Sequence, residues 1–217
     1  MSLPRVVSRD DWVAARRELL AREKEMTRAR DAHNADRRRL PWSASTRSTS
    51  SRGRTARRGL ARIFEGRRQL VVYHFMFAPE WDKGCPSCSG FDDRIGHLAH
   101  LNATATTFAC VSRAPLAMIQ PFKERMGWTF PWYSSCGSDF NYDFHVTLDE
   151  SVRPIEYNYR TKAEHEQAGS GYYVQGEEPL DLHGLSCFLR DGTASSTPTP
   201  PTGAAPTRSA SPPTSST

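Results

Sequence analysis

No stretch of the chain approaches twenty consecutive apolar residues, so the sequence offers no transmembrane helix. Met1 to Arg5 lead directly into charged and polar sequence, without the apolar centre of a signal peptide. The expectation is a soluble, cytoplasmic protein with no membrane partner. Cysteine is sparse: five in 217 residues, too irregularly placed for a disulfide scaffold and in keeping with a reducing compartment. A Gly-rich phosphate loop, a Ser-His-Asp constellation and an H-E-x-x-H are all missing, and neither a cofactor nor a metal is expected.

Acids are absent from residues 43–62, which hold Arg47, Arg52, Arg54, Arg57, Arg58 and Arg62. These six arginines more than account for the formal net charge of +5, so the body of the protein is not basic. A nucleic-acid arm would interleave aromatics to stack on bases, and none stands here. A disordered Arg/Ser-rich segment is the reading favoured, with nucleic acid not expected as a partner. Residues 193–217 form a second biased segment, rich in Thr, Pro and Ser. Length and composition suit one domain with appendages: a helical arm over 1–42 and an α/β domain over 63–192.

Chemistry concentrates in one place. Leu70-Val71-Val72-Tyr73-His74-Phe75-Met76-Phe77 is β-branched and aromatic, as in a strand buried on both faces of a parallel sheet. A short loop carries it to Cys85-Pro86-Ser87-Cys88, and Ser89 to Leu101 then reads as a helix with Phe91, Ile95, Leu98 and Leu101 at helical spacing. Both cysteines would sit at that helix's start, where unpaired N–H groups and the macrodipole favour a thiolate over the free thiol of pKa about 8.5. Cys85 is the expected attacking thiolate and Cys88 the resolving thiol, with Pro86 stiffening the turn between them and Ser87 completing it. A C-x-x-C is also half of a zinc site. Cys110, Cys136 and Cys187 stand alone, however, with no second C-x-x-C or C-x-x-H at ligand spacing, which favours the redox reading. Trp81, Asp82 and Lys83 precede the motif and could shape the thiol's surroundings: Lys83 would lower its pKa, and Asp82 would raise it or shuttle a proton.

Around this motif, Ser8 is placed to cap a helix running toward Arg39, with Trp12, Ala15, Leu19 and Leu20 packing one end and Leu40-Pro41 stopping it. Thr106–Ser112 reads as a second buried strand, Ala114–Trp128 as a helix containing Pro121, Phe130–Ser135 as a shorter strand and Leu185–Leu189 as a last one entering the Asp191-Gly192 turn. Residues 150–183 read as an irregular insertion. Cys110 and Cys187 are expected to be buried and inert, Cys136 to be accessible in a loop, His74 to be a core histidine, and Phe140 and Phe144 to anchor a turn.

With these words in order, the chain resembles the thioredoxin-like family known as domain of unknown function 899, whose members are described as predicted dithiol-disulfide oxidoreductases. The resemblance is carried by Glu18-Leu19-Leu20-Ala21-Arg22-Glu23-Lys24, Arg39-Leu40-Pro41-Trp42, Tyr73-His74-Phe75-Met76-Phe77, Cys85-Pro86-Ser87-Cys88, Val111-Ser112-Arg113-Ala114-Pro115, Gly127-Trp128-Thr129-Phe130-Pro131-Trp132 and Ser138-Asp139-Phe140-Asn141-Tyr142-Asp143-Phe144. It covers residues 3–42, 63–149 and 155–192. It implies a thioredoxin-like central mixed sheet flanked by helices, and a thiol–disulfide exchange whose partner is a protein or small-molecule thiol or disulfide. The strand–helix–strand–helix–F-P-W order is similar to peroxiredoxins as well, so a thiol peroxidase using Cys85 is the enzyme alternative; it would need a Thr or Ser and an arginine around the thiolate, and the sequence assigns no residue to that arginine. A metal-binding or inactive thioredoxin-like module is the non-enzymatic alternative.

Where the resemblance stops, both biased segments fit one and the same reading-frame offset, and a frame shift is the hypothesis they suggest. Under it, Thr197-Pro198-Thr199-Pro200-Pro201-Thr202 permits His-Thr-Tyr-Ser-Thr-Tyr, and Thr46 to Ala56 permits Asp-Lys-Glu-Tyr-Val-Phe-Glu-Gly-Pro-Asp-Gly, the words the family carries at those places. The alternative is a natural low-complexity linker and tail. On either account no packed structure is expected over 43–60 or 194–217. A frame shift predicts an insertion or deletion at both junctions of the coding DNA; a clean read through both contradicts it.

Overall fold

A computed structural model describes residues 4–41 and 62–190. Expectations placed on 43–61 and 191–217 fall outside the described residues.

The chain divides into two compact units, residues 1–41 and 42–217. In the first, helix α1 spans Arg9–Arg39. Ser8 Oγ accepts from the Asp11 N–H at 3.1 Å and donates to the Asp11 carboxylate at 2.7 Å, closing the first turn. Asp10 and Asp11 at its start and Arg37, Arg38 and Arg39 at its end complement the helix dipole. Leu40 turns extended before Pro41, whose ring disfavours a helical predecessor. No residue of α1 is buried, and Trp12 is 57 % exposed. Its apolar side chains are too few for a continuous stripe, and charged residues hold most of the surface.

The second unit is α/β, built on a central mixed sheet. Strand β1, Gln69–His74, leads to the short helix α2, Pro86–Asp92, and to α3, Ala99–Ala103; then come β2, Thr106–Ser112, helix α4, Leu116–Met126, and β3, Trp132–Ser134. After α5, Phe140–Asp143, follow β4, Thr147–Leu148, β5, Glu156–Tyr157, β6, Arg160–Thr161, helix α6, Lys162–Gln167, β7, Leu180–Asp181, and β8, Gly184–Leu189. The sheet runs β3-β2-β1-β8. β1, β2 and β3 are parallel, with Tyr73 beside Cys110, and β8 lies antiparallel to β1, with Tyr73 beside Leu185.

Alternation along the strands divides the core. Tyr73, Phe108 and Cys110 face one side with Phe75, Phe77, Cys88, Ile119, Phe122 and Trp132; Leu70, Val72, Ala109, Val111 and Phe188 face the other with Phe64 and Phe140. Both faces are covered, which is why β1 and β2 read as unbroken apolar runs.

Three expectations need correction. The helix expected over Ser89–Leu101 is two helices, broken between Asp93 and Leu98; Ile95, Leu98 and Leu101 still pack on the core from that broken path. Gly90 inside α2 and Gly96 in the break both weaken helix propagation. The 150–183 segment is ordered rather than irregular. Thr161 and Glu164 form a capping box on α6, β4 pairs with β7 and β5 with β6, and Leu148, Ile155, Tyr157, Val174 and Leu182 form a small core of their own. Cys187 is exposed, because among the described residues β8 is an edge strand with β1 alone beside it. Among the described residues no helix is long and apolar enough to cross a membrane.

Gly84, just before the first thiol, is buried against the aromatic core. A Cβ placed there would lie 2.6 Å from Phe75 Cε1 and 3.1 Å from Phe122 Cζ. Gly84→Ala should therefore cost about 1–3 kcal/mol in denaturant unfolding, the usual range for overpacking. A change within about 0.5 kcal/mol, the scale of a neutral surface substitution, would show that the loop is not pinned there.

Candidate functional site

The loop between β1 and α2 is short and closely held. Phe75 N–H donates to Val111 O at 2.9 Å, Ala114 N–H to Phe77 O at 2.8 Å, and Cys85 N–H to Met76 O at 3.0 Å. The chain leaving β1 thus returns on itself and sets Cys85 as the residue capping α2, with Pro86 at the first helical position, where a missing N–H costs nothing. Ser89 Oγ, one turn on, donates to Cys85 O at 3.0 Å.

Cys85 is half-buried and Cys88 is buried, at 1 % exposure. That difference separates their chemistry. The Cys88 thiol donates a hydrogen bond to the Cys85 sulfur, and this, against the opposing effect of partial burial, draws Cys85 down to about 6; the backbone N–H groups of Cys88 and Ser87 and the Ser87 hydroxyl add to it. Cys88 is pushed far up by the same bond, then by burial and by the charge of its neighbour. The pair is thus one sulfur favoured as the thiolate and one thiol that keeps its proton. Trp81 is half-buried against the aromatic core, whereas Asp82 and Lys83 are exposed. The leading influences on Cys85 are Cys88 and Ser87 rather than those two charges. The Ser87 and Cys88 N–H groups belong to the first turn of α2, so the expected influence of the helix start on Cys85 is present.

Beneath Cys88 lies a buried polar cluster. Tyr73, on β1, hydrogen-bonds Cys88, and its hydroxyl is pushed up by burial first and by Cys88 next. Asp92, the last residue of α2, is wholly buried. Its Oδ2 accepts from Cys110 Sγ at 3.2 Å, while Oδ1 has no hydrogen-bond partner in the protein. Burial raises Asp92 to about 7 against the lowering effect of the Cys110 bond. The signal for Asp92 was present in the sequence: Cys88, Asp92 and Ile95 are spaced four and three apart, so an acid stands within the apolar stripe of the helix.

The remaining candidates lie elsewhere. His74 is buried, pairs through Nε2 with Ser186 Oγ at 2.8 Å and packs on Phe140 and Phe144, and burial lowers it to about 3, so it is a neutral core histidine. Phe140 and Phe144 anchor their turn as expected. Cys136 is exposed. Arg113, at the end of β2, is held by Asp181 at 2.7 Å and Glu80 at 3.4 Å. Among the described residues no group of three or more His, Cys, Asp or Glu is arranged to hold a metal ion.

A family model described as "Bacterial protein of unknown function (DUF899)" matches residues 1–196. The chain belongs to the DUF899 family. The match spans residues 43–62 and stops within the Thr/Pro/Ser-rich tail. No curated protein and no solved structure matches. The dithiol, the half-buried Trp81 and the buried Asp92 all fall inside the part of this DUF899 chain that the family model covers.

Two buried groups give opposite pH gradients of stability. The folded-state value of Asp92 is raised, so the native chain holds that proton more tightly than the unfolded one; the contribution is full below about pH 4 and is lost by about pH 7. His74 is lowered, so its contribution is present above about pH 6.5 and is lost as pH falls toward 3. Asp92→Asn removes the first gradient alone. The variant should gain on the wild type by roughly 2–4 kcal/mol between pH 4 and pH 8 in urea unfolding. A difference that does not change with pH would contradict the burial of an ionisable Asp92.

Proposed function

We propose that this DUF899 chain is a thioredoxin-like thiol–disulfide oxidoreductase acting through Cys85 and Cys88. The observation that carries the reading is the asymmetric pair itself: a half-exposed sulfur drawn down to about 6 by a hydrogen bond from a buried thiol one helical turn away. A sheet of parallel strands closed by one antiparallel strand, with the C-x-x-C where β1 gives way to a helix, supports the finer fold assignment.

In this reading the Cys85 thiolate attacks one sulfur of a substrate disulfide. A Cys85–substrate S–S bond forms, and the first substrate thiolate leaves. Cys88 then attacks Cys85 Sγ, the mixed disulfide breaks, the second substrate thiolate departs, and the substrate is reduced while the dithiol becomes a Cys85–Cys88 disulfide. The partner is accordingly a protein or small-molecule disulfide or thiol. A thiol peroxidase would need an arginine turned to the thiolate, and the Arg113 guanidinium is engaged by Asp181 and Glu80.

Equilibration in glutathione buffers followed by mass mapping tests the proposal. The expected result is one reversible two-electron step that joins Cys85 to Cys88. Cys88→Ser should accumulate a mixed disulfide on Cys85, and Cys85→Ser should form none at position 88. Two thiols that stay unpaired across the buffer range would contradict the reading.

A further inference from the structure

The carboxyl ends of β1 and β2 hold a second polar group besides the dithiol. Arg113 follows Ser112, the last residue of β2, and its neighbour Ala114 donates its N–H to Phe77 O at 2.8 Å, while Cys85 donates its N–H to Met76 O at 3.0 Å. Arg113 and Cys85 are thus tied to adjacent residues of the chain leaving β1, at the end of the sheet where open α/β folds take their ligands. The Arg113 side chain is only 15 % exposed. Its Nε donates to Asp181 Oδ1 at 2.7 Å, and Thr147 Oγ1 donates to the same oxygen at 2.6 Å, so a buried acid with a second partner fixes the plane of the guanidinium. The outer edge of the fork is far less well met. Nη2 reaches Glu80 Oε1 at 3.4 Å, beyond the length of about 2.7–2.9 Å of a good charged pair, and Nη1 has no hydrogen-bond partner among the described residues. Glu80 is 59 % exposed, and a contact of that kind contributes little.

We propose that the Nη1–Nη2 edge of Arg113 binds a carboxylate of the substrate, that the substrate class is a small disulfide bearing carboxylates, and that Glu80 holds this place until such a substrate displaces it. The proposal rests on the dithiol reading above. A planar guanidinium with two N–H groups directed the same way matches the two oxygens of a carboxylate, and a largely desolvated one binds it more strongly than an exposed cation would. Glu80 marks what this edge accepts. It is a carboxylate, its contact is long and single, and it stands on the loop that runs from β1 to Cys85, so a ligand carboxylate in its place lies beside the route to the thiolate. The carboxylate takes no part in bond making. It stays ionised while the Cys85 sulfur bonds to one substrate sulfur and the other leaves as thiolate, and it is released when Cys88 closes the Cys85–Cys88 disulfide and the second thiolate departs. Arg113 is therefore a specificity residue, which governs how often a substrate is captured rather than the sulfur chemistry itself.

The charge preference of the oxidation tests this. The full chain with Cys136→Ser and Cys187→Ser, which removes the other exposed thiols, is reduced and then oxidised either by 3,3′-dithiodipropionate, which carries two carboxylates, or by the neutral bis(2-hydroxyethyl) disulfide. Acid quench and mass mapping time the Cys85–Cys88 disulfide. Both reactions are run in about 0.5 M salt, where a Debye length of about 4 Å suppresses long-range steering. The readout is the ratio of the two second-order rates, dicarboxylate over neutral. Glu80→Ala, at an exposed position, should raise that ratio several-fold by clearing the edge. Arg113→Gln combined with Asp181→Asn, so that no buried acid is left without its cation, should lower it by roughly tenfold. Arg113→Lys keeps the charge without the fork, and its ratio should fall between those of the parent and the double variant. Loss of packing alone would slow both probes together and leave the ratio where it was. A ratio that is the same in the parent, in Glu80→Ala and in the Arg113 variants overturns the carboxylate site and leaves the dithiol reading standing. A parent chain that forms no Cys85–Cys88 disulfide with either probe overturns both.

Discussion

The hydrogen bond from the Cys88 thiol to the Cys85 sulfur is the interaction on which the site's chemistry depends. It makes two like side chains unlike: one, half-buried, is favoured as the anion, and the other, fully buried, is kept protonated. Much of what holds it is backbone. The parallel pairing of β1 and β2 fixes where the loop begins, the Cys85 N–H to Met76 O bond fixes where it ends, and a glycine at position 84 allows the chain to pass against the Phe75 ring.

Below the dithiol the fold tolerates a costly arrangement. A carboxyl, a phenol and two thiols are clustered in a region otherwise lined by Phe75, Phe77, Phe122 and Trp132, and one carboxylate oxygen has no protein partner. An apolar residue at position 92 would remove that desolvation cost. Perturbed titratable groups of this kind gather at functional sites.

Much of this was legible in sequence. The β1 and β2 runs stand out because both sheet faces are covered and most of their positions are apolar, while the helix after Ala114 and the return strand at Leu185 show in the spacing of their own apolar residues. The C-x-x-C was visible as a motif, but its electrostatics were not. The sequence points to Lys83 and Asp82 as well as to the N–H groups of the helix start; the fold engages the helix start and adds the Cys88 thiol and the Ser87 hydroxyl, which spacing alone does not show. The small core of Leu148, Ile155, Tyr157, Val174 and Leu182 was hidden because its members are scattered among polar residues, although the Thr161-x-x-Glu164 capping box gave local notice of order. The exposure of Cys187 depends on which strand lies at the sheet edge, and a strand's own sequence does not state that.

The most direct test of the account is the pH dependence of Cys85 alkylation by iodoacetamide in the reduced protein, followed residue by residue by mass spectrometry. The account predicts half-maximal reactivity near pH 6 for Cys85, with Cys88 unreactive across the range. A Cys85 midpoint at or above the free-thiol value of about 8.5 would contradict it, because the bond from Cys88 would then not be stabilising a thiolate.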